Sequence, residues 1–482
     1  MKMTKISLGV AAVCGVLSAP AHALLASSYT NSGEFAGDTQ NIRVSGATAQ
    51  DQGLLASTLR NCTAGSLTRY SISNNFVYFC TIDTTKLTPR AGATKLALYK
   101  YSVGGSGNGV SPVNSATPLP FLDLTKLNTS CAGPSSTADI DGTEPLPTFQ
   151  DIACSGASSS LTTSAVSYIG LSDVEPAFFG AASTYNNLSS VSLASVIFGV
   201  PVTKAVYEYL QGLQGLTVGS LTEANMPSLS QAQLTSIFTQ EGITWETLTG
   251  TPFSGNDDVV YVARRADSSG TQKTFEALIA RTTNGTAGAK SCQVSVEGFR
   301  SGAAAADNNA ANNACDPSIG GNLTINGSGS GQVVACLNKF QSVGAGGVGV
   351  LTTETVVSSG GLWRFVKING NAPVQRNVAG GSYTQYADAS LNTRIGANLP
   401  TASAAGYSAY LTRLKSDMAD PTIVNLLNTD QPFGRAGLMA LDVLNATVPT
   451  PDFTAATPRN PWSRLVGGTT LNNCQPGKLA AF

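Results

Sequence analysis

The sequence is poor in histidine and in charged residues. Its one histidine, His22, lies near the beginning of the chain, and only 12% of the 482 residues are charged. A Ser-His-Asp triad, proton relay through imidazole near neutral pH and zinc binding by histidine all require a side chain that the rest of the sequence lacks. The commonest routes of enzymatic hydrolysis are therefore disfavoured.

Long apolar runs are also scarce, and the one at the beginning has the pattern of an export signal. Lys2 and Lys5 precede an uncharged apolar run from Ile6 to Ala19, and Ala21-His22-Ala23 offers small residues for cleavage. This predicts a secretory signal peptide, residues 1–23, cleaved after Ala23. No later run reaches the ~18 apolar residues of a membrane helix, so we expect a periplasmic or secreted mature chain without a membrane span.

The charge balance of the mature chain is mildly acidic. Without the signal peptide, 26 basic residues stand against 29 acidic ones, a net charge of about −3. A nucleic-acid partner is not expected without an excess of basic residues. No dense cluster of carboxylates is apparent either, so the sequence predicts neither a metal site nor a cofactor.

Of all residue types in the sequence, cysteine gives the clearest indication of the cellular compartment. Cys14 is removed with the signal peptide, and eight of the nine cysteines remain. An even number of cysteines without a C-x-x-C pair, in an exported chain, predicts disulfides rather than a metal or redox site. Eight cysteines allow 105 connectivities. Because sequence neighbours close the smallest loops, we expect Cys62–Cys80, Cys131–Cys154 and Cys292–Cys315, which leaves Cys336 and Cys474 as the remaining pair.

Short strand patterns alternate with helical ones along much of the chain. The segment 41–59 predicts strand, turn and helix, Ser230 is a candidate N-cap ahead of another helix, and 259–280 predicts a strand followed by a helix. Such alternation is typical of α/β layers with mostly parallel strands. Ligands of these sheets bind beyond the carboxyl ends of strands, where the turns that contain Thr48, Asp173 and Arg265 are expected.

The stretch RRADSSGT, residues 264–271, has the composition of an anion site. If a helix starts near Ser269, the first-turn amides of Ser269, Gly270 and Thr271 converge on one point and favour an anion. Gly270 allows close approach to the backbone, and Arg265 offers a planar fork that matches two oxyanion oxygens. The segment alone is equally compatible with a structural N-cap beside a surface ion pair.

The segment VARRADSSGT resembles the signature of the periplasmic phosphate-binding proteins of ABC importers, which have a two-lobed type II solute-binding fold. Further segments match in the same order: VSGATA, GGSGNGV, YIGLSDVEP, MPSLSQAQLTSIFTQEGITW and GAGGVGVLTTE. The resemblance covers roughly residues 42–375. Ala49 departs from it, because an aromatic residue is usual there, although the expected contact uses the backbone amide.

The resemblance implies two α/β lobes, each a mostly parallel sheet flanked by helices. We place lobe I at residues 24–195 with a disulfide-bearing insertion at about 108–165, and lobe II at 196–375. Residues 376–482 are then a return to lobe I and a C-terminal extension.

The same resemblance implies a phosphate site built from both lobes. Asp173 would accept a hydrogen bond from the proton of hydrogen phosphate, and it would reject sulfate, which has no proton near neutral pH. An unpaired buried polar group costs roughly 1–3 kcal/mol. The other implied ligands are Thr48, the Ala49 amide and Ser106 from lobe I, and Arg265, Ser269, Gly270 and Thr271 from lobe II, with Asp267 bracing Arg265.

The sequence thus predicts a non-enzymatic, exported phosphate receptor for uptake or scavenging, with an ABC permease as a candidate partner. Two alternatives remain open. One is a secreted phosphatase on the same scaffold, with Ser269 or Thr271 as nucleophile. The other is a surface protein whose pocket has degenerated and binds no anion.

Overall fold

The structure is a computed structural model of the chain. It describes residues 23–30, 37–127, 131, 136–138, 149–255, 257–281, 298–304, 315–358, 360–395, 404–426, 428, 430–444, 459–466 and 470–479. The predicted signal peptide lies outside these residues except for Ala23, and so does Cys292.

Strands are the most numerous elements of the described chain. They are β1 (Thr39–Gly46), β2 (Thr68–Ile72), β3 (Asn75–Thr81), β4 (Lys95–Tyr101), β5 (Leu119–Leu122), β6 (Ser136–Ala138), β7 (Phe149–Ala153), β8 (Thr162–Ala165), β9 (Ile169–Ser172), β10 (Leu188–Thr203), β11 (Ser228–Leu229), β12 (Tyr261–Arg265), β13 (Ala303–Ala304), β14 (Thr324–Gly327), β15 (Gly347–Gly349), β16 (Leu351–Thr352), β17 (Trp363–Ile368) and β18 (Tyr386–Arg394). Short strands follow: β19 (Asp430–Gln431), β20 (Gly434–Arg435), β21 (Leu438–Met439), β22 (Trp462–Ser463), β23 (Leu465–Val466), β24 (Thr470–Leu471) and β25 (Lys478–Leu479).

The helices cover these sheets. They are α1 (Asp51–Asn61), α2 (Ser111–Ser115), α3 (Lys204–Leu213), α4 (Gln231–Thr239), α5 (Trp245–Thr249), α6 (Gly270–Thr274), α7 (Pro317–Gly320), α8 (Ser330–Ser342), α9 (Gln375–Ala379), α10 (Ala404–Met418) and α11 (Pro421–Val424). A π-helical turn, Phe275–Ile279, continues α6. Ser230 caps α4 in a capping box with Gln233, as its position in the sequence predicts.

The first half of the molecule is built on one mixed sheet. Its centre is parallel, with β1 between β4 and β9. Antiparallel β3 joins β4 to β2, and β7 pairs with β2 in parallel. On the other side β18 runs antiparallel to β9 and then to β10. The candidate residues Thr48 and Asp173 directly follow two of the central parallel strands, at the edge where ligands of α/β sheets bind.

The second half has a sheet of its own. Parallel β12 lies between β14 and β15, and β13 pairs with the outer side of β14. The other strands of this half include β17, which runs antiparallel to β10, and β11, which pairs with β17 in parallel. Arg265 is the last residue of β12, so it too lies at the carboxyl end of a central parallel strand.

One long strand belongs to both sheets. The 16 residues of β10 pair with β18 near their beginning and with β15, β16 and β17 near their end. The register shifts between Ser192 and Ser195, a β-bulge that increases local twist. Pro201 sits inside the second part of β10, opposite Phe365. The fold class predicted from the sequence, an α/β protein with parallel central strands in two halves, is confirmed.

The disulfides agree with the sequence prediction in two cases. Cys62–Cys80 and Cys131–Cys154 are both present. Cys315, however, pairs with Cys336 on α8, so the predicted pairs Cys292–Cys315 and Cys336–Cys474 are wrong. Pairing Cys315 with Cys292 or with Cys336 would close loops of similar length. The chain returns through β14, and this return brings Cys336 next to Cys315. Cys474 is disulfide-bonded as well.

No helix in the described residues combines the length and the apolar character that crossing a membrane requires. Disulfides are typical of chains that reach an oxidising compartment, and three of them join pairs of described cysteines.

Candidate functional site

The turn between β12 and α6 begins the site in the second half. Ser269 is the N-cap of α6, and its Oγ accepts a hydrogen bond from the backbone amide of Gln272 at 3.4 Å. The backbone amide of Ser269 already donates to Ala266 O at 2.9 Å. The predicted helix start near Ser269 is confirmed, and the first-turn amides of Gly270 and Thr271 are the donors that this start orients.

At Gly270 the two halves of the molecule lie close against each other. A Cβ at this position would lie 2.3 Å from Ser106 Oγ and 2.7 Å from Asp173 Cβ. Any side chain would therefore separate the halves. Next to this contact, the amide of Gly107 donates to Ser268 O at 2.8 Å. The loops that contain Ser106 and Ser269 thus lie directly against each other.

Asp173 follows β9 and links the halves through hydrogen bonds. Its backbone amide donates to Ser106 Oγ at 3.0 Å, and its Oδ2 accepts from Thr271 Oγ1 at 3.2 Å. Burial raises the pKa of the Asp173 carboxyl to about 6, although Arg265, Thr271 and Ser106 each favour the ionised form. Near neutral pH this carboxyl is ionised, and in mild acid it takes up a proton.

Arg265 is only 1% exposed. Its Nη1 donates to Ser330 Oγ and its Nη2 to Ser328 O, both at 3.1 Å, and its backbone amide donates to Gln272 Oε1 at 3.1 Å. Burial lowers the pKa of the guanidinium to about 10, while the negative charge of Asp173 acts in the opposite direction. Arg265 thus remains charged at neutral pH, as one of the largest fully buried side chains.

The predicted bracing of Arg265 by Asp267 is wrong. Asp267 forms an ion pair with Arg264, and its side chain is 67% exposed. Arg264 and Arg265 are neighbours on β12, and neighbouring side chains of a strand point to opposite faces. Arg264 also donates to Arg300 O at 2.8 Å and approaches Glu276, so Asp267 belongs to that network instead of the site.

Thr48 and Ala49 lie at the end of β1, in the short turn that leads into α1. Ala49 is buried and Thr48 is partly exposed. Thr48 lines the same cavity as Ser330, the residue that accepts the hydrogen bond from Arg265 Nη1. The first-half turn and the serine that holds the second-half arginine therefore face a common space.

Sequence reasoning missed the residues that hold Arg265. The segment GSGSG, residues 327–331, has the composition of a flexible loop, yet Gly327 ends β14 and Ser330 begins α8. Gln332 Oε1 accepts hydrogen bonds from Ser328 Oγ and from the Gly329 amide, which fixes the turn. The available signal was the Gly and Ser run directly ahead of a helical pattern, the same signal that marks residues 268–271.

Gln50 was missed as well. Its side chain is fully buried beside Asp173, where it favours the ionised carboxylate. Within the described part of the chain, several buried atoms at this place have no hydrogen-bond partner: both amide atoms of Gln50, Asp173 Oδ1 and Arg265 Nε. Such atoms cost free energy unless a ligand pairs with them. Their mixture of donors and acceptors fits an anion that also carries a hydrogen-bond donor.

Comparison with known proteins gives matches only at the level of solved structures. No family model and no curated protein matches the chain. A phosphate ABC transporter substrate-binding protein from Clostridium perfringens, with bound phosphate, is similar over 79% of this chain and 96% of its own, at 14% identity and a TM-score of 0.40.

Two further solved structures are similar. An ABC-type phosphate transport receptor from Vibrio cholerae matches over 80% of this chain and 98% of its own, at 16% identity and a TM-score of 0.38. A phosphate-binding protein from Stenotrophomonas maltophilia matches over 78% of this chain and 84% of its own, at 14% identity and a TM-score of 0.38. At these TM-scores the likeness is loose, and the function proposed next depends on the contacts of this chain.

Proposed function

We propose that this chain is an exported, non-enzymatic binding protein that closes two lobes around hydrogen phosphate. The observation that carries the proposal is the meeting of a buried arginine and a buried carboxylate, Arg265 and Asp173, each supplied by a different half and each with an unpartnered atom. The lobes correspond to residues 24–195 and 196–375, with the chain returning to lobe I afterwards. Uptake through an ABC permease, or scavenging, is the physiological role that this activity would serve.

The ligand set combines positive and negative partners for one anion. The fork of Arg265, the hydroxyl of Ser269 and the amides of Gly270 and Thr271 supply donors from the second lobe. Thr48, the Ala49 amide and Ser106 supply donors from the first. Charge-assisted hydrogen bonds are about twice as strong as neutral ones, so Arg265 contributes most of the attraction. Asp267 has no part in this ligand set.

Asp173 gives the site its selectivity. An ionised carboxylate can pair with an anion only if the anion brings a proton, and hydrogen phosphate does so near neutral pH. Sulfate would place an acceptor against an acceptor, which costs roughly 1–3 kcal/mol and more where charge is involved. The pKa of about 6 leaves most of the Asp173 carboxyl ionised at pH 7.5.

The test is a thermal-unfolding and calorimetric comparison of the purified protein with phosphate, with sulfate and without either. A ligand that binds only the folded state stabilises it, by about 2.7 kcal/mol at a concentration of 100 Kd. We expect phosphate alone to raise Tm at pH 7.5. Arg265→Ala should weaken phosphate binding more than 100-fold, because two charge-assisted hydrogen bonds contribute about 3 kcal/mol or more.

A matched control is Arg60→Ala, which removes the same charge from the exposed last turn of α1. It should leave the phosphate response unchanged. If the unsubstituted protein shows no response to phosphate, or if sulfate stabilises it equally at pH 7.5, the proposed site is wrong.

A further inference from the structure

Gln50 is a fully buried polar side chain that the fold leaves without a hydrogen-bond partner. It is 0% exposed, and within the described residues both of its amide atoms, Oε1 and Nε2, are unpaired. It is the N-cap residue of α1, yet its side chain does not cap the helix. A buried polar group costs free energy unless something pairs with it. The contacts of the folded chain therefore give no stabilising reason for a glutamine at this position.

A second buried glutamine shows how this fold treats an amide with a structural role. Gln211, on α3, is also 0% exposed. Its Nε2 donates to Ser220 O and to Asn225 O, and its Oε1 accepts from the Gly219 amide, each at 2.8 Å. Both amide atoms are therefore in use, as is usual for buried side chains. Gln50 differs from Gln211 in this respect alone, which makes the two residues a matched pair.

The register of the first sheet places Gln50 beside the anion site. β1 and β9 run in parallel, and the amide of Ala47 donates to Leu171 O at 2.8 Å. The turns that follow these two strands therefore leave the sheet side by side, with Gln50 in the first and Asp173 in the second. Burial raises the pKa of the Asp173 carboxyl, and the nearby Gln50 amide acts in the opposite direction. The amide and the carboxyl thus border the same space.

The unpaired atoms around this space match the oxygens of one hydrogen phosphate. Asp173 Oδ1 is an acceptor without a donor, while Arg265 Nε and Gln50 Nε2 are donors without an acceptor. Hydrogen phosphate brings one proton, which the carboxylate can accept, and its other oxygens accept hydrogen bonds from N–H groups. A neutral amide adds such a donor without adding charge, and its carbonyl oxygen can accept instead.

From the burial of Gln50, its unpaired amide and its place beside Asp173, we propose that Gln50 is a further ligand residue of the oxyanion and contacts the oxygen next to the one that Asp173 binds. Nε2 donates to that oxygen when it carries no proton, and a half turn of the amide presents Oε1 when it does. This inference rests on the proposed function, since it concerns the same site. It adds a residue that determines how many protons the bound anion can carry.

The first experiment makes the same substitution at both glutamines. Gln50→Met keeps an unbranched side chain of similar length and removes the amide. We expect phosphate to bind about tenfold or more weakly at pH 7.5. Tm of the ligand-free protein should rise by roughly 1–4 °C, because an unpaired buried amide is lost. Gln211→Met should lower Tm and leave phosphate affinity unchanged. Calorimetric titration and thermal unfolding measure the two quantities.

A second variant, Gln50→Glu, gives a result that a packing role would not produce, and it decides the question even if Gln50→Met does not fold. A carboxylate here, together with Asp173, requires a second proton from the anion. Between pH 8 and pH 6, phosphate changes from mainly hydrogen phosphate to mainly dihydrogen phosphate. The loss of phosphate affinity relative to the unsubstituted protein should therefore be about tenfold or more larger at pH 8 than at pH 6.

The outcomes separate the two proposals. If inorganic phosphate fails to bind the unsubstituted protein, the proposed function is wrong and the role of Gln50 is wrong with it. If phosphate binds, three results would overturn the role of Gln50 alone. These are an unchanged affinity in Gln50→Met, a lowered Tm in Gln50→Met like that of Gln211→Met, and an equal loss of affinity at both pH values in Gln50→Glu.

Discussion

At the scale of single residues, the site depends on Asp173 being held in an unfavourable ionisation state. Its folded pKa of about 6 exceeds the usual 3.8, so the native state binds more protons than the unfolded state between these values. Stability therefore falls as pH rises from about 4 to about 6, and the deficit persists above pH 6. A raised pKa of this kind is a frequent property of functional carboxyls.

Asp173→Asn is therefore expected to stabilise the ligand-free protein while removing its discrimination between anions. At about 1.4 kcal/mol per pKa unit, the gain at pH 7.5 is on the order of 1–3 kcal/mol, and it should shrink at pH 4.5. Urea unfolding at both pH values measures this gain in the free energy of unfolding. Asp388→Asn is the matched control, since burial raises the pKa of Asp388 to about 6 as well. It should leave the preference for phosphate over sulfate intact.

The pH dependence of anion choice follows from the same carboxyl. Above pH 6 the ionised form of Asp173 accepts a hydrogen bond from hydrogen phosphate, whereas below pH 6 the protonated form can donate a hydrogen bond to an unprotonated anion. Sulfate affinity should therefore rise at least tenfold between pH 7.5 and pH 5, and Asp173→Asn should flatten this dependence. Calorimetric titration with sulfate across the range decides it, and a flat profile in the unsubstituted protein would contradict the assignment.

The sequence predicted the roles of single residues well where those roles depend only on neighbouring residues in the chain. Ser269 as a helix cap needed only its neighbours, and its cap is present. The partner of Asp267 could not be predicted, because Arg264 and Arg265 are both within reach along the chain and only strand pairing decides which one faces the site.

At the scale of elements, the start of α8 positions Arg265. Ser330→Ala removes a hydrogen bond from the charged guanidinium, worth about 1.5–3 kcal/mol, so phosphate should bind at least about tenfold more weakly with little change in Tm. Ser342→Ala, at the exposed end of the same helix, is the control and should behave like the unsubstituted protein. An unchanged affinity in Ser330→Ala would mean that Ser328 O and the surrounding packing hold the guanidinium alone.

Elements that are formed by distant pairing were the ones that sequence reasoning missed. β14 forms because it pairs with β12, and the low-complexity sequence around it gives no signal of that pairing. The same return of the chain determines that Cys315 meets Cys336. By contrast, α1 and α4 carry apolar spacing within their own residues, α4 also follows the N-cap signal of Ser230, and both helices were predicted.

At the scale of the whole molecule, the direct contact of Gly107 with Ser268 describes a closed arrangement. A Cβ on Gly107 would lie 3.2 Å from Ser268 Cβ, close to the 3.5–4.5 Å of a disulfide. In Gly107→Cys/Ser268→Cys, phosphate should accelerate formation of the cross-link severalfold, because closure brings the two thiols together. Non-reducing electrophoresis of timed samples follows the reaction, with sulfate at pH 7.5 as the control. Equal rates with and without phosphate would exclude hinge closure.

The 16 residues of β10 have a practical consequence for dissecting the protein. Because β10 belongs to both sheets, a cut anywhere between Leu188 and Thr203 would leave at least one fragment with an exposed, apolar sheet edge. Separately expressed halves should therefore aggregate or recombine with each other, and circular permutants that keep this strand whole are the better route to studying either half by itself.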